Sequence, residues 1–315
     1  MKTSVVIPTY NRWNSLKKCL DSLINQSSSP DQVLVIDGGS NDYTPKGIKS
    51  YPVEFKIQDK KGLVYAYNYG AKKANGDIIA FIDDDAIAKS DWIEQLENKY
   101  ASSKTVGAVG GQIVEMGKRP KFSIENTSGN GIKIPNFLFS VYSIIFLENR
   151  IHDIGVITEN GGTIGNFSKK LIQDVTVDHI RGVNMSFRKD VIKKIGFFDS
   201  RFDLYHATLF ETDACFRVSV AGYDIWYTPK AVVWHCIRSG GSDIRSLAHN
   251  DLLFYIKNIR KNRNYIDIAF LLRYLSQLTF NIFANINQED QILSYIKKLA
   301  DIPPIIARSF VASNT

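Results

Sequence analysis

Three adjacent aspartates, Asp83, Asp84 and Asp85, close the apolar run 78-IIAFI-82. Neighbouring carboxylates repel one another, so a chain that places three at the end of a buried-looking segment needs something to hold the charge. In an extended chain successive side chains alternate, which turns Asp83 and Asp85 one way and Asp84 the other. Two carboxylates on one side of a strand end can bind a divalent cation that also takes oxygens from a substrate diphosphate, as magnesium-like ions commonly do. The plainer reading is an exposed acidic turn capping the helix that follows. Asp37 closes a second apolar run, 32-QVLVID-37. Glu211 and Asp213 open the stretch 211-ETDACFRVSVAGY-223, and His235 stands near the end of 231-AVVWHC-236.

The elements that must position these groups follow from periodicity. Residues 3-TSVVIP-8 read as a short buried strand, and Leu16, Cys19, Leu20, Leu23 and Ile24 recur at helical spacing after Asn11. Strands at 32–37 and 53–57, a helix over 62–76 closed by Asn75-Gly76, and a strand at 77–83 come next. A helix over 90–100 is expected with Ser90 as its cap. A strand and a short helix fill 181–199, a helix from Glu211 ends at Gly222, and a strand covers 231–236. This alternation predicts an α/β layered sheet, mixed but mostly parallel, with helices on both faces. In such a sheet the ligand crevice lies beyond the carboxyl ends of the strands, where Asp37 and Asp83 both fall.

Composition narrows the classes. The 315 residues, 44% apolar and 23% charged, are those of an ordinary folded protein. Three cysteines without CxxC spacing argue against a disulfide framework or a structural zinc site and fit a reducing, cytoplasmic setting. The net charge of +7 suits anionic partners, yet no nucleic-acid-binding module is recognisable, and acids at the strand ends repel phosphate unless a metal intervenes. Nucleic acid is therefore not an expected partner. The glycine-rich 158-TENGGTIGNFSK-169 fits neither phosphate-loop pattern. The region 117–176, with its aromatic patch 137-FLFSVYSIIF-146, reads either as a lid over the crevice or as a surface excursion.

The ordered set VVIPTYNR, VIDGGSND, GLVYAYNYGAKKANGDIIAFIDDDA, RGVNMSFRKDVIKKIGFFD, ETDACFRVSVAGY and AVVWH resembles family 2 of the glycosyltransferases, which have the GT-A fold, over roughly residues 3–240. The resemblance implies metal-dependent transfer of a sugar, with inversion, from a nucleoside-diphosphate sugar to the hydroxyl of a glycan or lipid-linked acceptor. It implies a GT-A catalytic domain over 1–240, its nucleotide-sugar half about 1–115 and its acceptor half about 116–240. Pro8, Tyr10, Asp37, Asn68, Asp83 and Asp84 would meet the donor. Asp83, Asp85 and His235 would hold Mn2+ or Mg2+, and Arg181 and Asn184 would face the acceptor or diphosphate. Glu211 and Asp213 are the two candidates for general base, because relatives usually carry Glu-Asp-x-Asp where this chain reads Phe210-Glu211-Thr212-Asp213. A second departure is Tyr67, where many relatives have arginine. The atypical acids leave room for a different class, a non-catalytic nucleotide-sugar-binding scaffold of a glycan-assembly complex.

Past residue 241 a helical C-terminal extension is expected. The run 251-DLLFYIKNIRKNRNY-265 mixes apolar and basic residues, and 266-IDIAFLLRYLSQLTFNIF-283 is apolar but interrupted by Asp267 and Arg273. Central charge argues against a spanning helix. Two readings stay open: basic amphipathic helices on an anionic membrane surface, peripheral to the cytoplasmic face, or helices packed on the catalytic domain or across a homodimer.

Overall fold

The computed structural model describes residues 1–117, 150, 152–204, 206–236, 244–260, 267–276 and 304. The aromatic patch at 137–146, the basic residues Lys261 and Arg263, and residues 277–283 of the apolar run lie outside the described residues. The chain divides into two compact units, the first made of Met1–Gly117, Gly165–Asp203 and Phe210–Ile237, the second of the intervening and following stretches.

The first unit is built on a nine-stranded sheet. Strand β1 (Thr3–Thr9) is buried along its whole length. It is flanked by β2 (Gln32–Asp37) and β4 (Ile78–Ile82), both parallel to it, and β3 (Glu54–Ile57) extends the parallel half beyond β2. Continuous apolar runs are what such doubly covered strands require. Helix α1 (Trp13–Ile24) buries Leu16, Cys19, Leu20 and Leu23. Ile24, expected on that face, is exposed, because it lies in the last turn as the chain leaves the sheet. Helix α2 (Thr44–Gly47) is a single turn, and α3 (Leu63–Lys73) packs so closely on β1 that a Cβ at Gly70 would come within 2.3 Å of Val6 Cγ1.

Beyond β4 the sheet changes character. The short β5 (Ala86–Ala88) follows the aspartates, and α4 (Trp92–Ser102) starts two residues later than the expected Ser90 cap. Asp91 occupies the cap position without a side-chain capping bond, its carboxylate being engaged by Lys89 and Gln95. Strand β6 (Val106–Met116) was not legible in the sequence. Its glycines dilute the strand signal, yet the packing demands them: a Cβ on Gly111 would sit 1.9 Å from the Ala231 carbonyl oxygen, and one on Gly110 2.5 Å from Ile180.

The second unit contains the two-stranded hairpin β7 (Val156–Ile157) and β8 (Thr163–Ile164). The glycine-rich 158–162 forms its turn, where the Asn160 carboxamide oxygen accepts from Thr158 Oγ1 at 2.7 Å and from the Gly162 N–H at 3.2 Å. In the first unit, β9 (Val175–Thr176) joins the sheet edge, and β10 (Asn184–Arg188) runs antiparallel to both β4 and β6. Short helix α5 (Lys189–Lys194) follows β10, and α6 (Phe210–Val220) ends near Gly222, whose φ of +86° suits glycine. Strand β11 (Asp224–Cys236) is longer than the expected 231–236 and tolerates Pro229 because its register with β6 breaks between Thr228 and Val233. Helix α7 (Ile244–Phe254), in the second unit, runs on into a π-turn at Tyr255–Ile259.

The sheet order is β3-β2-β1-β4-β10-β6-β11-β5, with β9 on β11. The mixed α/β architecture is the one the sequence predicts. Two pairings matter for chemistry. Thr9 aligns with Asp37 at the shared ends of β1 and β2, and His235 of β11 lies opposite Ala86, the residue after the aspartates.

Candidate active site

Chain direction brings the carboxyl ends of β1, β2 and β4 to one side of the sheet. The aspartates leave β4 in a turn closed by the Ala86 N–H donating to the Asp83 carbonyl at 3.1 Å. Asp84 and Asp85 lie in the turn itself, where the strict alternation of an extended chain does not apply, and each aspartate finds its own surroundings. Asp84 points toward β1, where Thr9 Oγ1 donates to it at 2.8 Å. Asp83 and Asp85 meet His235, and one ligand atom from each of the three lies within 4.8 Å of the others.

Each carboxylate has a different partner. The Tyr67 hydroxyl donates to Asp83 Oδ1 at 2.5 Å. Arg12 Nη1 bridges Asp84 Oδ1 at 3.1 Å and Asp85 Oδ2 at 3.0 Å. His235 Nε2 lies 3.3 Å from Asp85 Oδ1, and the Cys236 N–H ties β11 to the Asp85 carbonyl at 3.0 Å. Burial pushes the Asp83 carboxyl above its ordinary range, against the hydrogen bond from Tyr67. Burial likewise raises Asp84 to about 6, with Arg12 pulling it back. Asp84 is paired with both Arg12 and Thr9.

This donor set fits a divalent cation. One guanidinium pairs with both Asp84 and Asp85 and cannot balance the two, and it already sits where a cation is attracted. His235 Nδ1 is buried with no hydrogen-bond partner. Two carboxylates and an imidazole are ligands that Mg2+ and Mn2+ accept when a phosphate completes the shell.

Across from the aspartates, α6 begins with Phe210 against the Tyr67 ring at 5.2 Å. Glu211 follows. Its Oε2 is buried without a partner. Burial raises its carboxyl to about 7, opposed by the charge of Arg181 and by the backbone amides of Glu211 and Gly182. Asp213, the other candidate base, has no exposed surface and is ion-paired with Arg217 of the next turn at 2.8 Å. The two acids at the start of one helix thus have opposite environments.

The remaining expected site residues divide. Pro8 is buried inside β1, whereas Tyr10 is 56% exposed and lies against Gly38, whose added Cβ would stand 3.2 Å from the ring. Asp37 is fully buried, and both its oxygens accept from Ser40, at 2.9 Å from the N–H and 2.5 Å from Oγ. It therefore shapes the turn after β2. Asn68 exchanges two hydrogen bonds with the Phe198 backbone, at 2.8 and 2.9 Å. Asn184 is buried, accepting from Trp92 Nε1 at 2.9 Å and donating to the Ala231 and Gln112 carbonyls. In this conformation the side chains of Asn68 and Asn184 hold the scaffold. Arg181 is half exposed and reaches Glu115 at 3.5 Å. Sequence reading missed Thr9 and Arg12 as neighbours of the aspartates. Their position just after the buried run of β1, beside the carboxyl end of β4, was the available signal.

Comparison with known proteins decides the family. A family model described as Glycosyl transferase family 2 matches residues 4–196, more than half of the chain. The chain belongs to glycosyl transferase family 2. This transferase is 26% identical over 248 residues to the glucosyl-dolichyl phosphate glucuronosyltransferase of Haloferax volcanii, a match covering 75% of this chain and 69% of that protein. It is 32% identical over 114 residues to glycosyltransferase GlyA of Streptococcus pneumoniae, covering 35% of this chain but 16% of that much longer protein. Among solved structures, S. aureus TarS 1-349 superposes with a TM-score of 0.57 at 14% identity, over 99% of this chain and 83% of that one. GalNAc-T7 with UDP, GalNAc and Mn2+ gives 0.58 at 15% identity, over 94% of this chain and 58% of that one. These likenesses show a GT-A fold, and the family match makes the chain a glycosyltransferase.

Proposed function

We propose that this transferase moves a sugar from a nucleoside-diphosphate donor to an acceptor hydroxyl in one displacement, with inversion at the anomeric carbon, and that Glu211 is its general base. The observation that carries the reading is the buried, unpartnered Oε2 of Glu211 in a carboxyl raised to about 7. A general base works best when its pKa lies near the operating pH. Asp213 is held by Arg217, which suits it to organising α6.

Asp83, Asp85 and His235 are the residues that would hold Mn2+ or Mg2+. A bound cation there would stabilise the negative charge that develops on the departing diphosphate. Arg12 adds a fixed positive charge at the same strand ends, and Asp84, tied to Thr9 and Arg12, keeps that guanidinium in place. Glu211 takes the acceptor's proton onto Oε2 as the new oxygen–carbon bond forms and the carbon–oxygen bond to the diphosphate breaks. Tyr10, exposed beside the turn after β2, is placed to contact the nucleoside, with Pro8 and Asp37 shaping the floor beneath it.

The acceptor we propose is lipid-linked, as the name of the Haloferax volcanii relative describes for that protein. A membrane surface has independent support in the second unit. Along 267–276, Ile268, Leu271, Leu272 and Leu275 are exposed, while Arg273 is buried against Asp251 at 2.9 Å. Apolar groups outward and charge inward is the arrangement of a segment facing lipid, and the preceding Lys257, Arg260, Lys261 and Arg263 suit anionic headgroups. No helix among the described residues is long and apolar enough to cross a membrane. Cosedimentation with anionic but not neutral vesicles tests this contact, and a stable homodimer that ignores vesicles would replace it.

The function is tested with purified protein, Mn2+ and a panel of nucleoside-diphosphate sugars, scored for donor hydrolysis and transfer to lipid-linked acceptors. Turnover that Glu211→Gln sharply reduces is expected. Donor binding with no turnover on any acceptor would favour the scaffold reading instead.

A further inference from the structure

Tyr67 touches both the aspartates and the start of α6 without being a candidate ligand or base. Its ring is buried among Phe81 at 5.4 Å, Phe198 at 5.9 Å and Phe210 at 5.2 Å. Phe81 lies two residues before Asp83, and Phe210 immediately precedes Glu211. The hydroxyl leaves this apolar cluster at one point, to donate to Asp83 Oδ1. Gly182, whose backbone amide helps hold Glu211, is close enough that a Cβ there would lie 3.9 Å from the same hydroxyl.

The helix carrying Tyr67 is fastened at both neighbouring turns. The Asp203 carboxylate accepts from the N–H groups of Leu63, Val64 and Tyr65 at 2.9, 3.2 and 3.2 Å, satisfying the open start of α3. Gly62 makes room for it: its φ is +136°, and a Cβ would meet Asp203 Oδ2 at 2.0 Å. One residue after Tyr67, Asn68 is locked to the Phe198 backbone. A phenol held this firmly fixes the direction of its hydroxyl as well as its position.

We propose that Tyr67 is a positioning residue for the cation site: its hydroxyl occupies Asp83 Oδ1, fixes the carboxylate's rotamer and leaves Oδ2 as the single oxygen offered to a metal. The assignment rests on the reading of Asp83, Asp85 and His235 as metal ligands. Partners that orient a ligand are worth about 10- to 100-fold in metal affinity. A neutral donor also restrains Asp83 without adding a positive charge that would compete with the cation.

The test is Mn2+ binding to the full chain without donor, read from the electron paramagnetic resonance of free Mn2+, for wild type, Tyr67→Phe, Phe198→Leu and Asp85→Ala. Tyr67→Phe keeps the ring and is expected to weaken Mn2+ binding about tenfold or more, with its melting temperature close to wild type. Phe198→Leu disturbs the ring cluster but spares the hydroxyl, and is expected to lower the melting temperature with Mn2+ affinity retained. If Tyr67→Phe binds Mn2+ like wild type while Asp85→Ala does not, the positioning role is wrong and the metal site stands. If Phe198→Leu weakens Mn2+ as much as Tyr67→Phe, Tyr67 acts by packing alone and the proposal falls. If Asp85→Ala binds Mn2+ like wild type, the underlying site reading fails with it.

Discussion

The aspartates after β4 and the acids that open α6 are both clusters of buried carboxylates, yet their surroundings differ in kind. Around Asp83, Asp84 and Asp85 every carboxylate has a named partner: a phenol, a hydroxyl, a guanidinium or an imidazole. At α6, Asp213 is neutralised by Arg217, while Glu211 keeps one oxygen in the interior with nothing to bond. Carboxylates compensated by several partners suit a cation site. Glu211, with one oxygen left unbonded and its carboxyl raised to about 7, can both take up and release a proton near neutrality. Local compensation of charge, more than residue type, separates the proposed ligands from the proposed base.

The contrast breaks most visibly at Glu211. Glu211→Gln should cut transfer by about 10²- to 10⁴-fold, the usual worth of a positioned base, with Mn2+ binding intact. Initial rates beside a Mn2+ titration check both halves, and a variant that still turns over at wild-type rate would hand the role elsewhere. Asp85→Asn should act on the other side of the comparison. It removes a charge that Arg12 and His235 both face, and cation affinity should drop by at least about 10-fold, the lower worth of an outer partner. Raising Mn2+ should recover part of the rate, which it should not do for Glu211→Gln.

Asp213→Asn should show itself in folding. Leaving Arg217 without its partner should cost about 3 kcal/mol, the low end for a broken buried pair because Arg217 keeps part of its surface in water. Urea unfolding measures this, and the folded enzyme should still turn over. Loss of turnover without loss of stability would reverse the assignment of the two acids.

The smallest expected effect is a pH-dependent one. A carboxyl raised from 4.5 to about 7 on folding contributes stability that is present below 4.5 and is lost as pH climbs toward 7. Glu211→Gln, which cannot ionise, should therefore be more stable than wild type at pH 8, on the order of 1–3 kcal/mol, with the gap closing below pH 4.5. Thermal melts across that range test the sign. In the wild type, turnover should rise with pH through about 7 as the base loses its proton.

Much of the frame was legible from residues alone. The unbroken apolar runs of β1, β2 and β4 marked three strands that prove to be parallel neighbours, with Asp37 and Asp83 at the same end of the sheet. Strand β6 escaped because close approach to Ala231 and Ile180 selects glycines, which erase the very signal that marks a strand. Asn68 and Asn184 hide a second part that residue type does not show: their carboxamides close the scaffold onto Phe198, Trp92 and Ala231. Arg217, four residues past Asp213, was a readable hint that this acid is paired, since such spacing puts both on one helix face.

By itself the sequence determined which residues could carry charge at the strand ends, because buried runs and their polar terminations are local properties of the chain. Only the tertiary structure decided what each charge does. Thr9 reaches Asp84 across 75 residues of chain, and Asn68 is bound to Phe198 across 130. Desolvation and partner charge act through space, so the difference between Glu211 and Asp213 exists only once those distant elements have packed.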